Sequence, residues 1–199
     1  MAREFLKHGS NAALILSAAL FFILAAAGLL QLSLLWVLAG AFLFYMTEYT
    51  THRFLFHAHP SRIGLILRLQ RRLHYDHHVE PSRLDLLFLP LWYVVPNFIA
   101  VSLVAWGFLG DWNGVLSLVL GAMLALLHYE WVHYIAHIPY KPRTGFGRWM
   151  KKYHLLHHFK NERFWFGVSN PTMDLLYRTY RAPEDSDRSA STRVLFPEA

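Results

Sequence analysis

The residues in this sequence best placed to do chemistry are histidines in four clusters: His52-x4-His57, His74-x2-His77-His78, His133-x3-His137 and His154-x2-His157-His158. Residues three and four apart share a helix face, so His74 can converge with His77 and His78, His133 with His137, and His154 with His157 and His158. These are metal-ligand spacings. Five positions on an α-helix turn through ~140°, so His52 and His57 meet at one ion only where the helix ends or distorts; otherwise they serve different ions. A transition metal takes about four to six ligands, so ten imidazoles suit two ions with about five nitrogens each and room for an oxygen bridge. The chain has no cysteine, which excludes thiolate ligation and disulfides.

Imidazole suits iron, zinc, copper and nickel, whereas a structural zinc site closes with four ligands. Two adjacent nitrogen-rich sites point to redox chemistry with O2 and hence to two iron ions, which zinc can replace in purified protein. No separate acid or base is then needed, because the metal centre is the catalyst. Glu48, Asp76 and Glu130 lie beside the clusters and are candidates to accept the outer imidazole N–H bonds that orient ligands. His8, His59 and His128 fall outside the pattern and need no special reading.

The elements that must position these residues are membrane helices. There is no Asp, Glu, Lys or Arg from His8 to Thr47, from Leu86 to Gly110, or from Trp112 to Tyr129. A crossing needs ~20 apolar residues, so the first run holds two crossings and the others one each, at about 11–30, 32–52, 86–108 and 114–134. The fold class expected is an all-α membrane protein: two transmembrane hairpins, with segments 53–85 and 135–181 forming a cytosolic helical cap around a dinuclear histidine site. The first run is too long for a signal peptide and continues into a second crossing. Pro90 and Pro96 predict a kink in the third crossing, or a helix that breaks against its neighbours. Residues 1–181 read as one domain, and 182–199, rich in Pro, Glu, Asp and Ser, as a solvated tail.

Charge orients this arrangement. The net charge is +6, yet none of the 19 Lys and Arg falls in either hairpin turn, near Gly28–Ser33 or Gly110–Gly114. That asymmetry places both termini and the histidines on the cytosolic side, and explains the basic excess through topology and anionic headgroups, without nucleic acid. A shift of 80 residues aligns Arg71–His78 with Lys151–His158 and His57 with His137, while His52 lands one short of His133. Each half is thus a helical hairpin followed by a cytosolic segment, with five histidines at matching places.

In order and separation the four motifs resemble the fatty acid hydroxylase and sterol desaturase superfamily of membrane di-iron proteins. The wording His52-Arg53-Phe54-Leu55-Phe56-His57, His133-Tyr134 and Lys151-Lys152-Tyr153-His154-Leu155-Leu156-His157-His158, followed by Asn161 and Phe166-Gly167-Val168, is most similar to the ceramide and sphingolipid fatty acid 2-hydroxylases. The resemblance spans about residues 45–180 and implies O2-dependent hydroxylation of a lipid acyl chain at C2, with the ten histidines as iron ligands and Asn161 beside them. Phe54, Phe56, Trp131, Trp165 and Phe166 are the candidates for a substrate tunnel. The fused haem domain of many eukaryotic relatives has no counterpart here, so a separate electron donor is expected, a b-type cytochrome or a ferredoxin with its reductase. The short length is similar to bacterial members, which implies the inner membrane rather than the endoplasmic reticulum. Sterol or acyl desaturation, carotenoid hydroxylation and non-enzymatic metal or haem binding are the competing readings.

Overall fold

The computed structural model describes residues 1–196, in which helices are joined by turns and irregular segments, with no strand among them. In chain order the helices are α1 (Ala2–Lys7), α2 (Gly9–Ala26), α3 (Leu34–Thr51), a π-helical turn (His52–Phe56), α4 (Gly64–Gln70), a second π-helical turn (Arg71–Tyr75), α5 (Asp76–Val79) and α6 (Leu84–Leu87). Then come α7 (Leu91–Leu109), α8 (Trp112–His137), α9 (Gly145–Phe159) and α10 (Thr172–Leu176). Among the described residues, three stretches are long and apolar enough to cross a membrane: Gly9–Ala26, Leu84–Leu109 and Trp112–His137. The remaining long helix, α3, ends in the polar run Thr47-Glu48-Tyr49-Thr50-Thr51, which dilutes its apolar character.

The chain forms two compact units. One comprises Met1–Tyr45 and Leu89–Glu130, and the other Met46–Phe88 and Trp131–Ala199. In the first, apolar side chains point outward: Leu16, Leu35 and Phe108 are 70%, 69% and 87% exposed, the reverse of a water-soluble bundle. Its turns fall where the glycines predict. Gly28 and Gly110 take left-handed φ values of 72° and 62°, and Gly110 closes α7 by donating its N–H to Trp106 O. Asp111 then caps α8 by accepting the N–H groups of Asn113 and Gly114 at 3.1 and 2.7 Å. The turns are tied together, Gln31 donating to Asn113 Oδ1 and Ser33 to Ser117 Oγ, both at 3.0 Å.

Where α3 meets α8, the backbones touch at two glycines. A Cβ on Gly40 would lie 1.9 Å from Leu118 O, and one on Gly121 1.9 Å from Val37 O. The same offset, one residue more than 80, relates Gly40 to Gly121, Val37 to Leu118 and His52 to His133. The contact is therefore reciprocal, and small residues permit it as they do in membrane helix pairs generally. Leu14, Val94 and Leu126 form a buried apolar cluster in the same unit. Within the stretch Leu84–Leu109 the helix breaks after Leu87 and resumes at Leu91, with Pro90 at the N-cap of α7 and Pro96 inside it.

The second unit holds every clustered histidine. Both π-turns occur where histidines must be brought into register. The N–H of His57 donates to His52 O, and the N–H of Asp76 to Arg71 O. An i→i+5 bond adds one residue to the turn, so His52 and His57, which an α-helix would splay apart, come round to the same side.

Residues 182–196 differ from a solvated tail. The segment returns along the site: Lys160 Nζ donates to Pro183 O, Asn161 Nδ2 to Asp187 O and Ser189 N to Lys160 O. The hydroxyls of Ser189 and Ser191 donate to the buried Glu162 carboxylate, and Arg193 donates to Val79 O. Composition misread this strap because its anchors are mostly main-chain groups, which any sequence supplies.

Candidate metal centre

The ten histidines form two groups. His52, His57, His74, His78 and His157 make the first, and His77, His133, His137, His154 and His158 the second; within each group one nitrogen per ring lies within 4.8 Å of all the others. A shift of 80, or 81 for the first histidine, turns each group into the other. The sets differ from the sequence clusters in one respect. His77 separates from His74 and His78, and His157 from His154 and His158, each joining the group built by the other repeat. Adjacent residues diverge by ~100° on a helix, so a ring in line with the i+4 partner cannot share its ion with the ring before it.

Inner nitrogens crowd together. Nε2 of His57 lies 2.7 Å from Nε2 of His74 and 3.0 Å from that of His157, while in the second group the His137–His154 and His133–His77 Nε2 pairs are at 2.9 and 3.1 Å. In the first group the outer nitrogens explain what the inner ones carry. Nδ1–H of His52 donates to Phe166 O at 2.5 Å, that of His157 to Phe164 O at 2.8 Å, and that of His78 to Thr192 O at 2.9 Å. These bonds fix the tautomer and leave Nε2 of each neutral ring as a lone pair turned inward. The buried Nε2 atoms of His52 and His78 have no protein partner among the described residues.

The donor set fits a metal. His57 Nε2 could donate to only one of its two neighbours, so proton sharing cannot satisfy the group, whereas nitrogens bound at ~2.1 Å and at right angles on one ion lie ~3 Å apart. Burial, and then the charges of neighbouring imidazoles, hold His57, His74, His77, His154 and His158 below the usual histidine range, so they are neutral at pH 7 and able to ligate. Nitrogen-only ligation in this number suits a redox-active transition metal, iron among them, better than a four-ligand structural zinc.

The carboxylates expected to orient these rings do something else. Glu48 accepts the backbone N–H groups of Val168 and Ser169 at 2.7 and 3.0 Å, and the Ser169 hydroxyl. Glu130 accepts the N–H of Leu89 at 3.0 Å. Asp76 is partly exposed at the start of α5. Asn161 braces the strap through Asp187 O and its own loop through the N–H of Arg163. Sequence reasoning missed Asp174, which is fully buried and accepts the N–H groups of Phe166 and Gly167 at 2.9 and 2.7 Å and the Thr179 hydroxyl at 2.7 Å. Asp174 and Glu48 together set the loop whose Phe166 carbonyl orients His52. Gly167 is required there, since a Cβ would fall 2.0 Å from Asn170 O. Lys151 closes the end of α8 by donating to Ile135 O, Ile138 O and Tyr140 O at 3.0, 2.6 and 2.9 Å.

The aromatic candidates divide. Phe56 stacks on His74 at 5.4 Å between ring centroids, and Phe166 packs on His52, His57 and His157 at 5.7, 5.2 and 5.4 Å. Trp165 is buried, with its indole N–H donated to Arg181 O at 2.9 Å. These three fill space around the rings. Trp131 is partly exposed and Phe54 is exposed, under the Arg53 guanidinium. Outside both groups, His59 packs on Phe196 and His128 Nδ1 faces the Tyr45 hydroxyl at 3.0 Å.

Comparison with known proteins identifies relatives of the chain. The fatty acid hydroxylase family model matches residues 37–179. The chain is 30% identical over 158 residues to a fatty acid 2-hydroxylase of Rattus norvegicus, covering 74% of this chain and 40% of the relative. It is also 30% identical over 154 residues to the ceramide very long chain fatty acid hydroxylase SCS7 of Saccharomyces cerevisiae, covering 73% and 38%. The solved structure of full-length Scs7p, in which only the hydroxylase domain is visible, superimposes with a TM-score of 0.70 at 28% identity, covering 78% of this chain and 58% of that one. The chain thus spans about two fifths of the length of these two curated relatives.

Proposed function

The chain belongs to the fatty acid hydroxylase family, and from that premise we propose that it is an integral-membrane di-iron enzyme hydroxylating a lipid acyl chain at C2. The observation that carries the reading is the pair of symmetry-matched, buried five-histidine groups. C2 follows from the relatives named fatty acid 2-hydroxylases. Bound iron would supply reduction of O2 and oxidation of an unactivated C–H bond. The balance is one methylene, one O2, two electrons and two protons giving one alcohol and one water. The two electrons come from a separate donor, a b-type cytochrome or a ferredoxin with its reductase.

The protein's own part is to hold and to exclude. The imidazoles of His52, His57, His74, His78 and His157, and of His77, His133, His137, His154 and His158, would hold the two ions. The carbonyls of Phe164, Phe166 and Thr192 keep the Nδ1–H tautomer of the first group. Phe56 and Phe166 keep water from the rings, and Phe54 and Trp131 border the acyl path. We assign α3 as a fourth crossing, with both termini and the site cytosolic and the enzyme in a bacterial inner membrane. The test is mass spectrometry of lipids from iron-replete cells expressing wild type or His157→Ala. A 2-hydroxy acyl species is expected with wild type alone. Its equal appearance in both would sink the metal-site reading, and a product lacking two hydrogens would favour the desaturase alternative.

A further inference from the structure

Along α9, residues alternate between two duties. His154, His157 and His158 share one side, and Lys152, Leu155, Leu156 and Phe159 share the opposite side, as spacings of three and four require. The outer side forms the floor of a cavity of about 630 Å³, bounded also by the loop from Pro139 to Pro142. Its floor is apolar, and Phe159 is 40% exposed. Its rim is cationic, with no carboxylate among the lining residues. Three of the five rim cations are anchored: Arg148 on Pro142 O and Arg143 O, Lys151 on three carbonyls, and Lys160 on Pro183 O. Lys141 and Lys152 are exposed at the mouth.

We infer that this groove is the docking port for an acidic one-electron carrier protein. The inference rests on the hydroxylase reading, whose balance requires two electrons from outside. An apolar floor with a charged rim is the anatomy of a small transient interface, where rim charge sets encounter rate and partner choice. The floor belongs to the helix that supplies ligands to both histidine groups, so a carrier seated there is separated from the imidazoles by one helix diameter, ~10–12 Å. An anionic lipid headgroup would need only the cations. The acyl chains behind it would also cover an apolar floor, and the phosphatidylserine arm of the test distinguishes that occupant from the carrier.

The test uses full-length iron-loaded protein in neutral detergent, as wild type and Lys141→Glu/Lys152→Glu, neither position being in the ligand shell. A reduced acidic [2Fe–2S] ferredoxin is one electron source and a small uncharged mediator the other. With ferredoxin, the charge-reversed variant should lose on the order of tenfold in apparent affinity, and the wild-type rate should fall steeply with salt. With the mediator, the two proteins should give equal product. The port is refuted if the variant takes electrons from ferredoxin as well as wild type does, if wild type refuses ferredoxin while turning over with the mediator, or if the variant also fails with the mediator. It is equally refuted if, in reconstituted vesicles, the variant alters only the response to phosphatidylserine content. Absence of product from wild type with the mediator would instead overturn the hydroxylase reading, and the port with it.

Discussion

Pairs of substitutions can be chosen so that sequence proximity and spatial grouping give opposite results. His77→Ala/His158→Ala removes two rings that are far apart in sequence but in one group, whereas His77→Ala/His78→Ala removes two neighbours that lie in different groups. Four ligands hold a structural zinc with ~10–16 kcal/mol, so each imidazole accounts for ~3 kcal/mol, or ~10²-fold in affinity. The first pair should leave one centre with five nitrogens and the other with three, the weaker one losing ~6 kcal/mol, ~10⁴-fold. The second pair should leave two centres of four, each weakened ~10²-fold. Titration of monodisperse apoprotein with zinc against a competing chelator reads this directly. His77→Ala/His158→Ala should titrate in two well-separated steps of one equivalent, and His77→Ala/His78→Ala in a single weakened phase of two. If the profiles were reversed, the histidines would be grouped by repeat and the exchange of His77 and His157 would be wrong.

Deleting residues 186–199 removes Thr192 O from His78, and loss of such an outer partner should weaken metal at the first group ~10- to 100-fold while leaving the second near wild type, measured by the same titration. Asp174→Ala strips both amide bonds from the loop at Phe166; it should lower thermal stability by ~2–4 °C per kcal/mol lost and reduce metal at the first group, and equal stability and occupancy would contradict the role given to that carboxylate. Gly121→Leu forces a side chain into the Val37 carbonyl and should destabilise the helix pair by several kcal/mol, read as loss of monodisperse protein, whereas Gly107→Leu, with open space around it, should be tolerated. For pH, burial holds these histidines well below the ordinary histidine value of about 6.5, so the unfolded chain binds more protons than the folded one in acid. Stability and metal occupancy should therefore be full above about pH 6.5 and fall as pH drops below it; a thermal scan showing greater stability at pH 5 than at pH 7.5 would refute the sign.

The convergence of the histidines was legible in the sequence because histidine is rare in apolar surroundings and its spacing survives folding. All ten rings converge, and the condition placed on His52 and His57, that the helix must distort between them, is met by a π-turn at His52–Phe56. Grouping was not legible, because three- and four-residue spacings both promise a shared face, and only the direction of approach from the other repeat decides between His77 and His78. Asp174 gave no signal either: one carboxylate in the run Thr-Met-Asp-Leu-Leu looks like any surface turn until its neighbours bury it. The C-terminal strap was missed for a third reason. Polar composition predicts solvation only when the backbone has nowhere better to bond, and here Pro183, Asp187 and Thr192 offer carbonyls to Lys160, Asn161 and His78.

The crossing of His77 and His157 also bears on ancestry. A chain of half this length, carrying one hairpin and one set of five histidines, would contain four rings aimed at one point and a fifth aimed away. Two copies related by a two-fold axis would each complete the other's site. Duplication and fusion of such a dimer would yield the arrangement seen here, one polypeptide enclosing both borrowed ligands. Fusion then frees the copies to diverge while neither can be lost, because deleting either half removes a ligand from the site that remains.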